Sequence, residues 1–525
     1  MKKAKIQGMA SLLLLLAMLL TLLPAAHGAE PFQFKLGNEQ LISTYHSLIA
    51  GKKVGLVTNQ SGVDSQGRST IDKLAEDPEI KLTALYGPEH GIDGQAKAGE
   101  YVESYTHPTL GIPVYSLYGQ TRRPTEDMLK DVDVLLFDVQ DIGARSYTYI
   151  STLNYCMVAA QKYDKPIIVL DRPNPLGGET VEGPVMEDPF ITFVGVDNLP
   201  MAHGMTVGEL ARFFNRKIGA KLTVVPMKGY TRSMIFQDTG LSWMQTSPNI
   251  PDIDSVFGYM ATGMGEGTGI YQADQFKWIG GKGIDAQRFA DQLNQAGLPG
   301  VIFNPENRGT AGGVRLQITD YHAFNPAKTG IFALAIAHKM NNFKVPKSDS
   351  VVVMFDKIMG TARMGQWIEQ NREPQEIANL YNSGLQRFKE ERKQYLIYGN
   401  FPESPRLITP ITVWVDDRSV PFDRAPYIDS HDRVMVPLRA IVEALGATVD
   451  WDASNSQITV RKGNALSRFT VGSTTALFKG VEKTMDTSPV ILGDRTMVPA
   501  RFVAESVGAS VNWDGQNQKV LIRAK

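Results

Sequence analysis

The sequence predicts an α/β protein: a doubly wound parallel-sheet domain, a smaller α+β auxiliary domain, and a C-terminal duplicated α+β module. Three observations lead there. Short continuous apolar runs alternate with helix-period segments through the first part of the chain, as expected of strands covered on both faces by helices. Beyond about residue 245 this alternation gives way to mixed strands and helices. Residues 411–525 contain an internal repeat at constant offset, one supersecondary unit used twice. At roughly 150 residues per domain, a chain of 525 residues accommodates three or four such units.

The first 28 residues stand apart. Lys2, Lys3 and Lys5 precede the apolar runs Leu12–Leu16 and Leu19–Leu23, and Ala26-His27-Gly28 supplies small residues where a signal peptidase reads. A secretory signal cleaved after Gly28 is expected, and with it a secreted, extracellular protein. The apolar run is short for a span of about 20 residues, so no stable membrane span is expected after cleavage. Cys156 is the only cysteine, which rules out an intrachain disulfide and a multi-cysteine zinc site. Its apolar helical surroundings, Leu153 to Ala160, read as the place of a buried structural thiol. A net charge of −1 gives no general attraction to nucleic acid or anionic lipid.

Residues 30–245 form the doubly wound domain. Val54–Thr58, Leu82–Tyr86, Val134–Phe137 and Ile167–Leu170 read as strands, and Ile71–Glu76 and Tyr149–Tyr163 as helices. Residues 246–400 form the auxiliary domain, with a strand at Gly313–Thr319 and helices at Gly330–Met340 and Glu376–Tyr395. Residues 401–410 carry Pro402, Pro405 and Pro410 and read as a linker. In the repeat, Arg433, Pro437, Gly446 and Trp451 return as Arg495, Pro499, Gly508 and Trp513, each 62 residues later. Each copy reads as a strand, a short helix stopped by its glycine, and a hairpin.

Three loops of the first domain each follow a strand and carry acids. They are Gly87-Pro88-Glu89-His90-Gly91, the stretch from Asp138 through Asp141 and Arg145 to Tyr149, and Asp171-Arg172-Pro173-Asn174-Pro175. Ligands of an open parallel sheet bind outside the carboxyl ends of its strands. Glu89, Asp138, Asp141 and Asp171 are therefore expected on one edge around one crevice. Crowded carboxylates raise one another's pKa, which keeps one protonated as a general acid, and glycoside hydrolysis commonly uses such a pair. The competing reading is local: Asp141 and Asp171 are also good N-caps. His90 and His203 lack tight ligand spacing with the acids, so no metal or other cofactor is expected. A Gly-x-Ser-x-Gly elbow is missing. Gly263-Met264-Gly265-Glu266-Gly267 lacks the strand that a dinucleotide loop follows.

Taken in order, these loops resemble the exo-β-N-acetylmuramidase family, together with Glu182-Gly183-Pro184, His203-Gly204-Met205-Thr206, Ser247-Pro248-Asn249-Ile250-Pro251 and Glu266-Gly267-Thr268. The resemblance covers roughly residues 35 to 400. It implies a Rossmann-like catalytic domain, an auxiliary domain, a cleft between them, and release of N-acetylmuramic acid from the non-reducing ends of peptidoglycan fragments. On this resemblance Glu89 is the first choice for the catalytic acid, with His90 beside it. Asp138, Asp141 and Asp171 are candidates for the second carboxyl or for sugar hydroxyl contacts. Arg145 and Arg172 are candidates for the lactyl carboxylate, against the alternative of ion pairs with nearby aspartates. Tyr147 and Tyr149 either stack on sugar or begin a helix. Asn174 and His203 join the substrate-binding candidates, and Glu266 reaches in from the second block. The alternative functions are a non-catalytic wall-binding scaffold and another wall hydrolase.

The chain departs from the family pattern after Thr268. Where the family carries a Gly-Arg-Gly-Thr turn and a Pro-Phe-Glu segment, it reads Gly269-Ile270-Tyr271-Gln272-Ala273-Asp274-Gln275-Phe276. The C-terminal repeat resembles the copper amine oxidase N-terminal-like domain of exported proteins. Its one histidine, His431, and its lack of cysteine offer no copper site. Hairpin packing is favoured over sugar stacking for Trp451 and Trp513, and a wall-associated or spacer role is expected.

Overall fold

The computed structural model describes residues 34–400, 407–429, 431, 433–515 and 517–524. The expected signal segment and residues 401–406 of the expected linker lie outside the described residues. No described helix is long and apolar enough to cross a membrane.

A seven-stranded sheet organises the first domain: β1 (Lys53–Thr58), β2 (Lys81–Gly87), β3 (Tyr105–Thr106), β4 (Pro113–Ser116), β5 (Val134–Asp138), β6 (Ile167–Leu170) and β7 (Leu222–Val225). Their order is β3-β4-β2-β1-β5-β6-β7, parallel throughout except for the edge strand β3. All residues of β5, β6 and β7 are buried, so continuous apolar runs rather than alternating ones encode them. Four expected strands fall within a residue or so of their predicted limits. The expected set omits the short strands β3, β4 and β7.

β1 lies between β2 and β5. The chain builds β2 and β4 on one side and then crosses to β5 on the other, so strand order reverses at β1. Thr58 at the end of β1 stands beside Asp138 at the end of β5. The crevice beyond these carboxyl ends is where such sheets bind ligands. Helix Tyr149–Lys162 leaves it and packs on helix Val207–Ile218, with Cys156 fully buried. The Thr206 hydroxyl caps the second helix by accepting from the Glu209 N–H, and Gly219 ends it at φ 69°.

The auxiliary domain holds an antiparallel sheet of β8 (Ile270–Ala273), β9 (Trp278–Lys282), β10 (Val301–Pro305) and β11 (Ala311–Ile318), in the order β10-β11-β9-β8. Helices Ile253–Thr262 and Pro326–Asn341 pack together beside it. One apolar core runs through both domains. Phe213 of the first domain meets Phe388 and Tyr395 at ring-centre distances of 5.6 and 5.3 Å. The chain then returns to the first sheet: Ile408 exchanges backbone hydrogen bonds of 2.8 and 3.1 Å with Val224 of β7. The described end of the expected linker is therefore bound, because the outer edge of β7 offers unpaired backbone groups.

In the C-terminal module each copy has the expected order. β12 (Val434–Pro437) leads to helix Leu438–Ala444 and the hairpin Thr448–Asp452 with Gln457–Lys462. β13 (Arg495–Pro499) leads to helix Ala500–Ser506 and the hairpin Ser510–Asp514 with Lys519–Arg523. β12 and β13 pair antiparallel with Val436 opposite Val498, its counterpart in the repeat. A local two-fold axis passes between them, and both copies share one core. Trp451 sits opposite Ile458, and Trp513 opposite Val520, both core residues. The two residues keep 43% and 38% of their surface exposed, so packing accounts for only part of each.

Candidate active site

Glu89 follows β2 after Pro88. The chain turns sharply there, with His90 at φ 71° and Gly91 at φ 80°. A left-handed conformation is unusual for a residue with a side chain. His90 Nδ1 lies 2.7 Å from Ala96 O, and since a carbonyl only accepts, that nitrogen carries the proton. Glu89 is 7% exposed. Its Oε1 accepts from the Gly99 N–H at 2.8 Å, and its Oε2 accepts from the Thr148 hydroxyl. Tyr118 lies against the same carboxylate. The strap from Asp93 to Glu103, mostly exposed along its outer side, thus covers the carboxyl.

Beneath lies an aromatic wall. Tyr149 donates to Thr246 O, and Tyr147 donates to Thr246 Oγ1 at 2.9 Å. Their rings are 4.8 Å apart, Tyr147 meets Tyr259 at 5.7 Å, and His90 meets Tyr149 edge-on at 6.4 Å. Burial raises the Tyr149 phenol well above its ordinary pKa, so it acts as a neutral donor. The hairpin joining β8 and β9 reaches this wall from the auxiliary domain. Its turn residues Asp274, Gln275 and Phe276 are all left-handed, and the Phe276 ring stands 5.0 Å from Tyr259. Gln60 ties the loop after β1 to the same wall, donating to Gln245 O and Thr246 O. A groove of about 320 Å³ is lined by Ser61, Asp64, Gln140, Arg172, Ser242 and Met244.

The other acids share the sheet edge, but each engages a different network. Asp138 is fully buried, accepts from Thr70 Oγ1 at 2.6 Å, and pairs with Arg172 Nε at 2.6 Å. Asp171 accepts from the N–H of Arg172 and Gly208, from Thr206 Oγ1, and from Tyr398 Oη at 2.6 Å. It holds the start of helix Val207–Ile218 to the returning chain, and burial raises its pKa to about 7. Asn174 spends both ends of its amide on the Met205 O and Leu176 N–H of its own surroundings.

Asp141 differs. Its Oδ2 accepts from the Gly143 N–H at 2.7 Å, while Oδ1 is buried with no hydrogen bond. Burial lifts its pKa to about 7. His203 Nε2, also buried and unbonded, lies 3.9 Å from Asp141 Oδ2. Burial lowers the His203 pKa to about 3, so the ring is neutral. Arg145 has no acid partner: it donates to the carbonyls of Pro184, Leu199 and Ile358 at 2.6–2.8 Å, and burial lowers its pKa to about 9. The bond to Ile358 ties the first domain to the second. Arg172 takes the ion-pair alternative. Glu266 is exposed. Among the described residues no three His, Cys, Asp or Glu side chains converge as a metal would need.

Sequence reasoning passed over Asn59, Gln60, Tyr118 and Thr246. Asn59 and Gln60 also follow a strand end, so the strand-end rule reaches them once the search is not confined to acids.

The sequence pattern of the N-terminal domain of the exo-beta-N-acetylmuramidase NamZ matches residues 54–254, and that of its C-terminal domain residues 257–398. The copper amine oxidase N-terminal domain pattern matches residues 414–522. The Bacillus subtilis (strain 168) peptidoglycan beta-N-acetylmuramidase NamZ is 44% identical over 387 residues, 70% of this chain and 92% of that protein. Two crystal structures of DUF1343 family proteins from Bacteroides fragilis NCTC 9343 are similar. One has 36% identity and a TM-score of 0.63, the other 26% and 0.53, and each comparison covers 70% of this chain and 99% of the other. Both the loops around Glu89 and the auxiliary domain fall inside the matched residues, and the chain belongs to the exo-β-N-acetylmuramidase NamZ family.

Proposed function

We propose that this protein is a secreted glycoside hydrolase that releases N-acetylmuramic acid from the non-reducing ends of peptidoglycan fragments, with Glu89 as the proton donor. One observation carries the reading: a carboxyl group on the family's loop, at the carboxyl end of a parallel strand, gripped between a hydroxyl and a backbone N–H and walled by tyrosines. When the strap opens, the Gly99 N–H leaves Oε1, and that oxygen becomes available to the glycosidic oxygen. Protonated Glu89 gives its proton to that oxygen as the bond to the anomeric carbon breaks. The freed sugar acquires a hydroxyl from water. Asp141, the one acid of the group with an unbonded carboxylate oxygen, is the leading candidate for the second group. The two exposed tryptophans of the C-terminal module support a role in holding the enzyme to wall glycan.

The test is to incubate the purified protein with a defined muramyl-glucosamine disaccharide and identify the sugar set free. Free N-acetylmuramic acid is the expected product. Release of a peptide or an acyl group with the disaccharide intact would overturn the reading. Secretion is checked by finding the mature chain, beginning after Gly28, in the culture medium or wall fraction.

A further inference from the structure

Asn59 and Gln60 leave β1 at the point where strand order reverses. Asn59 is 3% exposed. Its Oδ1 accepts from both the N–H and the hydroxyl of Ser61, at 3.0 and 2.5 Å. A backbone N–H can bond only the oxygen end of an amide, so the orientation of this one is fixed. Nδ2 then faces the Tyr149 oxygen, toward which one of its two hydrogens is directed; it is buried, with no well-formed hydrogen bond, and its second hydrogen has no partner. Tyr149 spends its own proton on Thr246 O.

Gln60 is the mirror case. Its Nε2 donates to Gln245 O at 2.8 Å and Thr246 O at 3.0 Å, which fixes that amide too, since its oxygen could not face two carbonyls. Oε1 is buried and has no hydrogen bond. Gln60 Nε2 and the Tyr149 hydroxyl bond the same Thr246 oxygen, so they lie at most about 6 Å apart. The strap closes over this amide: a Cβ added at Gly94 would fall 2.2 Å from Gln60 Cδ. Glu89 bonds Thr148, and Gly99 of the same strap, and its charge is felt at Tyr149.

Two rigidly held amides thus present one unused donor and one unused acceptor next to the candidate acid. Leaving either buried and unbonded is destabilising, so the fold keeps them against its own stability. A secondary amide satisfies both at once, because it carries one carbonyl and one N–H.

We propose that Asn59 and Gln60 recognise the 2-acetamido group of the sugar, Asn59 Nδ2 donating to its carbonyl oxygen and Gln60 Oε1 accepting its N–H. The inference rests on the reading of Glu89 as the centre of a glycosidase site. It makes Asn59 and Gln60 specificity-determining residues, because a sugar with a hydroxyl or a charged amine at C2 leaves the pair unmatched.

The experiment compares kcat/KM on the muramyl-glucosamine disaccharide with that on an analogue bearing a hydroxyl at C2 of the muramyl ring. Asn59→Ala should lower the value about 10- to 100-fold on the acetamido substrate and less than about threefold on the analogue, so that discrimination collapses. Gln60→Ala should act in the same direction. Asn59→Asp retains the oxygen that holds Ser61 and replaces the donor with a second oxygen, at the cost of a buried carboxylate. It should lose the acetamido preference as the alanine variant does, and Gln60→Ala serves if either change at Asn59 unfolds the loop. Equal losses on both substrates, or a wild type indifferent to the C2 group, would overturn the proposal. Calorimetry with free N-acetylmuramic acid and with muramic acid separates the two readings. A preference for the acetylated sugar that Asn59→Asp abolishes, in a wild type that cleaves nothing, retains the recognition pair and discards the catalytic acid. No preference in binding discards the pair.

Discussion

Replacing Glu89 with glutamine removes one ionisable proton and almost no volume. The structure indicates that the variant folds. The amide oxygen can still accept from the Gly99 N–H, and the amide nitrogen can donate to Thr148 Oγ1, reversing a hydrogen bond that a hydroxyl makes in either sense. Neither buried partner is orphaned, so the stability change should stay within about 1 kcal/mol. The chemical step is another matter. A positioned general acid supplies about 10²–10⁴ in rate, a barrier increase of about 2.7–5.4 kcal/mol. Release of N-acetylmuramic acid from the disaccharide should fall by that factor while thermal melting and binding of the product sugar remain near wild type. A variant that melts normally and still releases the sugar within tenfold of the wild-type rate would refute the assignment of Glu89.

Three further outcomes are expected. In Asp141 the folded-state pKa lies above the unfolded value, so the folded protein binds more protons, and the stability this group contributes is present below about pH 4 and lost as pH rises toward about 7. Asp141→Asn should therefore flatten the decline of stability between pH 4 and pH 7, read from melting temperatures; an unchanged slope would contradict the raised pKa. Arg145→Met leaves three interior carbonyls without their donor and should cost about 3 kcal/mol or more in denaturant unfolding. Phe276→Ala removes the ring that backs Tyr259; a partly buried phenylalanine should cost about 2 kcal/mol, and kcat/KM on the disaccharide should fall several-fold, whereas unchanged activity would show that the hairpin does not brace the wall.

The strand ends that carry acids were legible because a buried parallel sheet writes itself as apolar runs, and Glu89, Asp138, Asp141 and Asp171 do leave the same edge. What each carboxyl touches was not legible. Asp138 is occupied by Thr70 and Arg172, and Asp171 by Tyr398, a residue 227 positions away in sequence. Partners so distant are fixed by how the chain returns after the second domain, and no local pattern encodes that. The same holds for Arg145, whose third carbonyl partner, Ile358, belongs to the auxiliary domain. Asn59 and Gln60 went unread for a different reason: an amide carries no charge and has no motif, and only its unbonded atoms in the folded protein distinguish it from a turn residue. The repeat was the most legible feature, because duplication preserves identities and spacing together.

That duplication has a consequence for assembly. Where β12 meets β13, a residue faces its own equivalent, the contact two identical subunits make across an isologous interface. The module is thus a pseudo-symmetric pair tied into a single polypeptide, and the tether sets its effective concentration independently of how dilute the protein becomes. A change at Val436 is felt first at Val498, so the two copies are free to diverge on their outer faces but must vary together along the seam.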